Sequence, residues 1–293
     1  MSAQALALVL LAGLIHAGWN IMAKKTGGDA RFAFFTSVWM FIVWAPLGLW
    51  LGWGAVPAWG AVEWAVVGVS AVLHVVYFVT LLRGYRAADL TVVYPLARGT
   101  GPLLSSIGAV LLLGEAVTLP GVLGVLGVVL GVVLIAGGAR LWRPAASSAA
   151  RVQLHRGLTY GLLTGVWIAA YTVVDGYAVK VLALSPILVD YVGNAGRVLL
   201  LAPVAWRDRA ATARLWRAQW RGALVVGLFS PVAYVLVLYA VQQAPLSHVA
   251  PAREVSMLFA ALIGGRLLGE GDRVVRVAGA LLIGAGVVLL ALG

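Results

Sequence analysis

The chain has 293 residues, of which 62% are apolar and only 11% are charged, and its mean hydropathy is +1.00. Soluble domains carry about 25% charged residues, so this composition excludes an ordinary soluble enzyme, a disordered chain and a nucleic-acid-binding module. The net charge is +11 and there is no cysteine, which excludes disulfides and thiolate metal sites.

Long apolar windows set the predicted fold. A helix needs about 20 apolar residues to cross a bilayer, and none of these windows shows the period-two alternation of a barrel strand. We therefore predict an all-α polytopic membrane protein with ten transmembrane helices. The windows are Ala3–Ala23, Phe32–Gly52, Ala61–Leu82, Leu90–Leu113, Leu119–Gly138, Gly157–Ala178, Ser185–Ala205, Gly222–Val241, Pro245–Leu268 and Val274–Leu292. The first window ends in Lys24-Lys25 and has no basic residue before it, so we interpret it as a mature helix rather than a signal peptide.

The positive charges predict the orientation. Of the 21 Lys and Arg residues, 17 lie beside odd-numbered connections, whereas the even-numbered connections carry only Lys180. Because positively charged loops face the cytoplasm, we predict a multi-pass protein of the plasma (inner) membrane with both termini extracytoplasmic. The basic charge is then an orientation signal, and no nucleic-acid partner is expected.

The second half of the chain repeats the first. At a shift of 155 residues, Tyr94–Ala136 aligns with Val249–Ala291 without a gap, with 15 identities that include Arg98 over Arg253. Residues 1–138 and 157–293 each hold five predicted spans, joined by a cytoplasmic linker at 139–156. Five is an odd number, so the second repeat enters from the opposite side, and inverted repeats are typical of secondary transporters.

Several motifs occur in both halves. They are Ala87-Ala88-Asp89-Leu90 with Pro95, Pro102 and Leu113-Gly114-Glu115, and Ala244-Pro245-Leu246 with Pro251 and Leu268-Gly269-Glu270. Together with His16-Ala17-Gly18-Trp19-Asn20, they make the chain resemble the drug/metabolite transporter superfamily, and in particular its EamA-type members. The resemblance covers nearly the whole chain and implies ten helices, a central cavity and the transport of small metabolites. The adjacent charges Arg253-Glu254 depart from many relatives, which are apolar there.

Charged residues inside spans are costly and usually face a cavity or a partner. Arg98 and Arg253 lie near the middle of spans four and nine, where they fit a pair of cationic clamps for a carboxylate or phosphate. The alternative is structural pairing, of Arg253 with Glu254 or Asp175 and of Arg98 with freed backbone carbonyls. Glu254 either exchanges a proton or forms a fixed ion pair.

Other polar and aromatic side chains recur at helical spacing within spans. We predict that they line the substrate site together with the arginines, although the histidines and acids also fit satisfied contacts between helices. They are His16, Trp19 and Asn20 on span one; His74 and Tyr77 on span three; Trp167, Tyr171 and Asp175 on span six; Asn194, which shares a polar face with Asp190 and Arg197, on span seven; and Tyr234 on span eight. Asp175 alternatively pairs with Lys180 at the interface.

Two further features fit structural roles. Glu115 and Glu270 end their helices at opposite faces, where we expect them to pair with a cation or to accept backbone N–H groups. Small-residue seams, Gly127 with Gly131 and Ala280 with Gly284, fit close helix packing and leave a homodimer contact open.

The sequence therefore predicts a secondary active exporter of a small polar metabolite such as an amino acid, with substrate and bilayer as its partners. Proton coupling stays open, and the alternative is a flippase or permease for a lipid-linked or other amphiphilic substrate. No nucleophile–base constellation, metal-ligand cluster or phosphate-binding glycine loop is evident, so we expect neither an enzyme nor a cofactor.

Overall fold

The structure, a computed structural model, describes residues 1–26, 29–88, 90–135, 147–264 and 273–293. Within these ranges the chain forms helices and one short 3₁₀ turn, and no strand. They are α1 (Ala3–Thr26), α2 (Ala30–Ala55), the 3₁₀ turn Val56–Ala58, α3 (Ala61–Ala87), α4 (Leu90–Leu113), α5 (Leu119–Ile135), α6 (Ser148–Lys180), α7 (Pro186–Arg207), α8 (Arg209–Gln243), α9 (Leu246–Ala252), α10 (Val255–Gly264) and α11 (Arg273–Leu292).

The helices follow the predicted windows closely. Within the described residues, seven helices are long and apolar enough to cross a membrane, and α5 and α11 contribute shorter apolar stretches. α6 begins at Ser148, so the last residues of the predicted linker form its first turns. The predicted Glu270 and residues 139–146 of the linker lie outside the described ranges.

Within the described residues of the ninth window, the chain forms two helices rather than one. α9 ends at Ala252 and α10 begins at Val255, with Arg253 and Glu254 between them. Around this break the backbone changes to tighter bonds between residues three apart, such as the Glu254 N–H to the carbonyl of Pro251 at 3.0 Å. Such bonds shorten one turn and mark an interruption of the α-helical ladder.

Pro251 supplies a physical reason for the break. Proline has no N–H, so within a helix it leaves the carbonyl four residues earlier without its usual donor. That carbonyl belongs to Ser247, and it accepts a 2.8 Å hydrogen bond from the hydroxyl of Ser106 on α4. A polar side chain of the first half thus satisfies the backbone that the break frees in the second half.

The helices pack in a pattern of matched pairs. α6 packs against α3 and α4, and α1 packs against α8 and α10. The contact of α2 with α8 matches the contact of α7 with α3. In addition, α2 contacts α7 and α5 contacts α11, and each of these two contacts is its own counterpart. Every one of these contacts has a counterpart when the first five spans are exchanged for the last five.

Glycines allow α5 and α11 to meet closely. A Cβ added to Gly124 would lie 2.9 Å from the carbonyl oxygen of Gly286, and one added to Gly131 would lie 2.5 Å from that of Gly279. In the repeat alignment Gly124 corresponds to Gly279 and Gly131 to Gly286, so the contact is reciprocal. This seam is used within the chain, whereas a Cβ on Gly284 would meet nothing within 4 Å.

Candidate functional site

A cavity of about 310 Å³ lies between the helices at the level of the two buried arginines. Its lining comes from α1 to α4, α6 to α8 and the break between α9 and α10. It extends toward the end of the bundle where α1 ends and α2 begins, reaching Ala23, Phe32, Tyr85 and Tyr94. Nine of the thirteen predicted site residues line it: His16, Trp19, Asn20, His74, Tyr77, Arg98, Tyr171, Tyr234 and Arg253.

Arg98 joins the two halves of the chain through an ion pair. Its Nη2 lies 2.8 Å from Oε2 of Glu254 and also donates a 3.0 Å hydrogen bond to the hydroxyl of Ser256. Glu254 is only 1% exposed, so its carboxylate faces Arg98 and not the cavity. Of the predicted alternatives for Glu254, the structure contains an ion pair, and its main partner is Arg98.

Arg253 is held less firmly. Its Nε lies 3.8 Å from Oε1 of Glu254, which is too far for a hydrogen bond, whereas Arg98 approaches the same carboxylate to 2.8 Å. The two guanidinium groups therefore share one carboxylate that Arg98 already engages. Since an arginine stays charged under all ordinary conditions, the two guanidinium groups and the one carboxylate carry a net charge of +1 among the described residues at this point of the cavity wall.

A third arginine in the lining is neutralised on its own helix. Nη2 of Arg197 lies 2.8 Å from Oδ1 of Asp190 and 3.1 Å from the Asp190 carbonyl, two turns earlier on α7. Asn194 lies between them in sequence but turns away from the cavity, and its Nδ2 donates to the Ser37 carbonyl on α2 at 2.9 Å. Asn194 therefore makes a contact between helices and does not line the cavity.

A polar cluster lies behind the aromatic wall. Tyr234 on α8 donates a short hydrogen bond to Oδ2 of Asp175 on α6, and Nε2 of His74 on α3 lies 3.8 Å from the same oxygen. The His74 ring stacks on Tyr171 with centroids 4.1 Å apart. Asp175 itself is 1% exposed and is separated from the cavity by these rings. The predicted pairing with Lys180 does not occur, because Lys180 binds Glu115 instead.

The remaining predicted aromatic residues divide between the cavity and its margin. His16 and Trp19 pack edge to face with centroids 4.6 Å apart, and both line the cavity. Trp167 does not line it. At 100° per residue, Trp167 lies about 60° from Thr164 around α6, at the edge of the face that Thr164 and Tyr171 share, and it is half-buried outside the lining.

Sequence reasoning missed several lining residues. Tyr85, Tyr94 and Ser256 were not predicted, yet all three line the cavity. Tyr94 precedes Arg98 by four residues on α4, a spacing that places the two side chains on one helical face. That spacing could have predicted Tyr94 as a lining residue, whereas no sequence pattern pointed to Tyr85, which lies near the end of α3.

Glu115 lies at the opposite end of the bundle, where it pairs with a cation and accepts backbone N–H groups, the two contacts expected from the sequence. Its carboxylate accepts hydrogen bonds from Nζ of Lys180 at 2.8 Å and from the backbone N–H groups of Leu246 and Ser247 at 2.6 and 2.8 Å. It therefore caps α9, a helix of the other half. Burial raises the pKa of Glu115, but these donors outweigh burial and hold the pKa below its usual value.

The comparisons with known proteins agree with this architecture. One solved structure, a crystal structure of a protein, aligns with 100% of this chain and 98% of its own at 17% identity, with a TM-score of 0.74. At that identity the likeness shows the fold alone. No curated protein matches the sequence.

The family is shown by sequence. The model of the EamA-like transporter family matches residues 3–137 and again residues 155–292, so it covers nearly the whole chain. The second match begins inside the first turns of α6. The chain, a multi-pass membrane protein of the drug/metabolite transporter type, belongs to the EamA-like transporter family.

Proposed function

We propose that this protein is a secondary active transporter that exports a small metabolite with an anionic group, such as an amino acid, from the central cavity. Transport proceeds by alternating access of two inverted five-helix repeats. The proposal takes the chain as ten spans, with α9 and α10 together forming the ninth.

The observation that carries the proposal is the weak pairing of Arg253 within the part of the chain that the structure describes. Its guanidinium lines a cavity of about 310 Å³, and the nearest carboxylate already binds Arg98. In a largely buried setting, a cation without a contacting partner attracts an anionic group far more strongly than it does in water. A guanidinium also matches a carboxylate in geometry, with two parallel N–H donors.

Aromatic rings opposite the arginines suit an apolar or aromatic side chain. Trp19, Tyr77, Tyr171 and Tyr234 line the same cavity and offer ring faces and hydroxyl groups. Binding sites for small molecules combine such apolar walls with a few placed polar groups. An amino acid with a large side chain fits both parts of this lining.

The contact pattern supports inverted repeats. α4 on α6 corresponds to α10 on α1, and α3 on α6 corresponds to α8 on α1. The glycine contacts between α5 and α11 are reciprocal, with Gly124 against Gly286 and Gly131 against Gly279. A two-fold axis in the membrane plane requires both properties, and transporters that rock around such an axis place the substrate at its centre.

The charge distribution supports export. The cavity extends toward the ends of α1 and α3 and the start of α4, which the rule of positive cytoplasmic loops assigns to the cytoplasm. An exporter takes up its substrate from that side. The other end is closed by Glu115, Lys180 and the start of α9.

One observation favours the amphiphile alternative. A second cavity of about 290 Å³ lies between α4, α5 and α9 and is lined mostly by apolar side chains such as Leu103, Val110 and Leu126. Leu111, in the same lining, is 75% exposed and faces away from the bundle, where a lipid or lipid-linked substrate would approach.

Uptake into inside-out proteoliposomes tests the proposal. We expect a labelled amino acid with a large side chain to accumulate, and Arg253→Ala to raise its KM by roughly 10- to 100-fold, since a charge-assisted hydrogen bond contributes about 1.5–3 kcal/mol. The matched control is Arg217→Ala, which removes an exposed arginine of α8 outside the lining and should leave KM unchanged.

Two outcomes would overturn the proposal. Absence of flux for a broad panel of amino acids would reject the substrate class. Translocation of a fluorescent phospholipid by the wild-type protein, unaffected by Arg253→Ala, would favour the amphiphile alternative.

A further inference from the structure

Asp175 differs from the other buried acids in its partner. Among the described residues, Glu254, Asp190 and Glu115 each have an arginine or lysine nitrogen at 2.8 Å. Asp175 is as deeply buried but has no Lys or Arg within 4 Å, and its ionisable neighbour is His74 at 3.8 Å. A buried carboxylate without a fixed countercharge is costly unless a proton neutralises it.

The orientation of His74 makes this arrangement a proton site. Nδ1 of His74 lies 2.9 Å from the carbonyl oxygen of Ser70, one turn earlier on α3. A carbonyl only accepts, so the hydrogen-bond network assigns the hydrogen of the neutral ring to Nδ1. Nε2 is then the ring nitrogen without a hydrogen, and it lies 3.8 Å from Oδ2 of Asp175, so the pair offers two neighbouring atoms that can each accept a proton.

We propose that His74 and Asp175 together bind the coupling proton of transport, with Tyr234 donating to the carboxylate. One proton enters from the cavity, which His74 lines, and is bound at Nε2 of His74 or at Oδ2 of Asp175. No bond other than this N–H or O–H forms, and the pair gains one positive charge. The inference rests on the proposed transport function and names its coupling ion and the residues that hold it.

The other groups close to His74 and Asp175 are a serine and tyrosines, and the charged residues of α7 are paired with each other. Ser70 and Tyr77 face the His74–Asp175 pair from α3, Tyr171 from α6 and Tyr234 from α8. Arg197 and Asp190 on α7 act on it from a distance but are bound to each other.

Across the cavity, Arg253 also acts on His74, while Arg98 is bound to Glu254. A bound anion at Arg253 would therefore reduce the positive charge near His74.

Proton binding is measurable without substrate. Solid-state NMR of the full chain, labelled with ¹⁵N-histidine and ¹³C-aspartate in lipid bilayers, resolves the tautomer and charge of the ring and the protonation of the carboxyl, and His74→Gln and Asp175→Asn identify the two sets of signals. We expect His74 as the Nδ1–H tautomer at high pH, and uptake of one proton by the pair, at the ring or at the carboxyl, as the pH falls. In Asp175→Asn the carboxyl is absent, and protonation of the ring should require a lower pH than in the wild type, because the ring loses its carboxylate partner.

The matched control removes another buried carboxylate. Asp190→Asn should leave the Nδ1–H tautomer and the uptake of a proton by the pair in place. A His74 that carries its hydrogen on Nε2, or a pair in which neither the ring nor the carboxyl takes up a proton as the pH falls, overturns the inference.

A transport assay tests the role of the proton. In proteoliposomes, Asp175→Asn should still exchange labelled for unlabelled amino acid, while its accumulation driven by a pH gradient falls to a ratio of about one. Asp175→Glu, which keeps the carboxyl group, should retain part of the accumulation. Accumulation by Asp175→Asn equal to wild type overturns the inference, whereas absence of wild-type flux rejects the amino-acid substrate and leaves the NMR result standing.

Discussion

α4 and the α9–α10 pair occupy equivalent places in the two halves of the chain, yet only the second is broken. Both carry an arginine at the same register position, Arg98 and Arg253. α4 is continuous from Leu90 to Leu113, whereas the other span is interrupted at Arg253 and Glu254. Of these two aligned spans, one has an uninterrupted ladder of backbone hydrogen bonds, and the other is interrupted at the level of the cavity.

The difference follows from two aligned positions. Pro251 stands where α4 has Leu96, and Glu254 stands where α4 has Gly99. The proline removes a backbone donor, and the glutamate supplies the carboxylate that Arg98 binds at 2.8 Å. The two aligned arginines thus differ in their pairing: Arg98 binds the carboxylate of Glu254 closely, and Arg253 does not, which is the difference on which the proposed ligand contact of Arg253 rests.

The largest expected effect comes from removing the shared carboxylate. Glu254→Gln leaves Arg98 buried without a countercharge, and breaking a buried pair costs about 3–5 kcal/mol. We expect the free energy of unfolding in mixed micelles to fall by that amount, and transport to be lost with it.

A double variant distinguishes the cost of leaving one charge unpaired from the cost of any substitution in this buried region. Arg98→Met with Glu254→Met removes both charges, and replacing a buried pair by apolar residues is often close to neutral. It should therefore be more stable than Glu254→Gln. A single Glu254→Gln that costs less than about 1 kcal/mol would mean that Arg98 is satisfied without the second half.

Most of the fold was predictable from the sequence because a bilayer imposes helices of a fixed length. Each of the first eight windows corresponds to one described helix. Pro251 can kink the ninth span, but Pro95 and Pro102 lie in α4 without ending it, so the prolines alone did not locate the break. The carbonyl that Pro251 frees accepts a hydrogen bond from Ser106, a neighbour that is distant in sequence.

The residue types that form the site were predictable from the sequence, but which charged side chains pair with each other was less predictable. Buried charges and helical spacing pointed to Arg98, Arg253, His74 and Tyr171, which all line the cavity. The partner of Glu254 is Arg98 rather than the adjacent Arg253, because α4 and the break meet face to face. Pairing across 156 residues has no local signal in the chain.

A smaller effect is expected at the start of α9, where the two halves also meet. Glu115→Gln removes the charged acceptor for Lys180 and for two backbone N–H groups. Losing such a helix cap costs about 0.5–2 kcal/mol. Thermal unfolding in detergent should show a lower Tm than wild type at neutral pH.

The pH dependence of this effect follows from the pKa of Glu115, which the folded protein holds below its usual value. The stabilisation is complete above the unfolded pKa of about 4.3 and is lost as the pH falls through the lower folded pKa. The Tm difference between wild type and Glu115→Gln should therefore shrink in acid. Glu63→Gln, which alters an exposed cap of α3, is the control and should cost less, whereas a Tm difference that grows in acid would contradict the ionised cap.

The smallest effect sharpens the contrast between the two arginines. Ser256 on α10 accepts a 3.0 Å hydrogen bond from Arg98 and stands where α4 has Gly101. Ser256→Ala removes this bond while the ion pair remains, so the free energy of unfolding should fall by about 1 kcal/mol. Ser105→Ala is the matched control, because the equally buried Ser105 hydroxyl bonds only to Gly101 within its own helix. If both variants cost the same, the hydrogen bond across the halves adds nothing specific to Arg98, and the ion pair with Glu254 alone distinguishes it from Arg253.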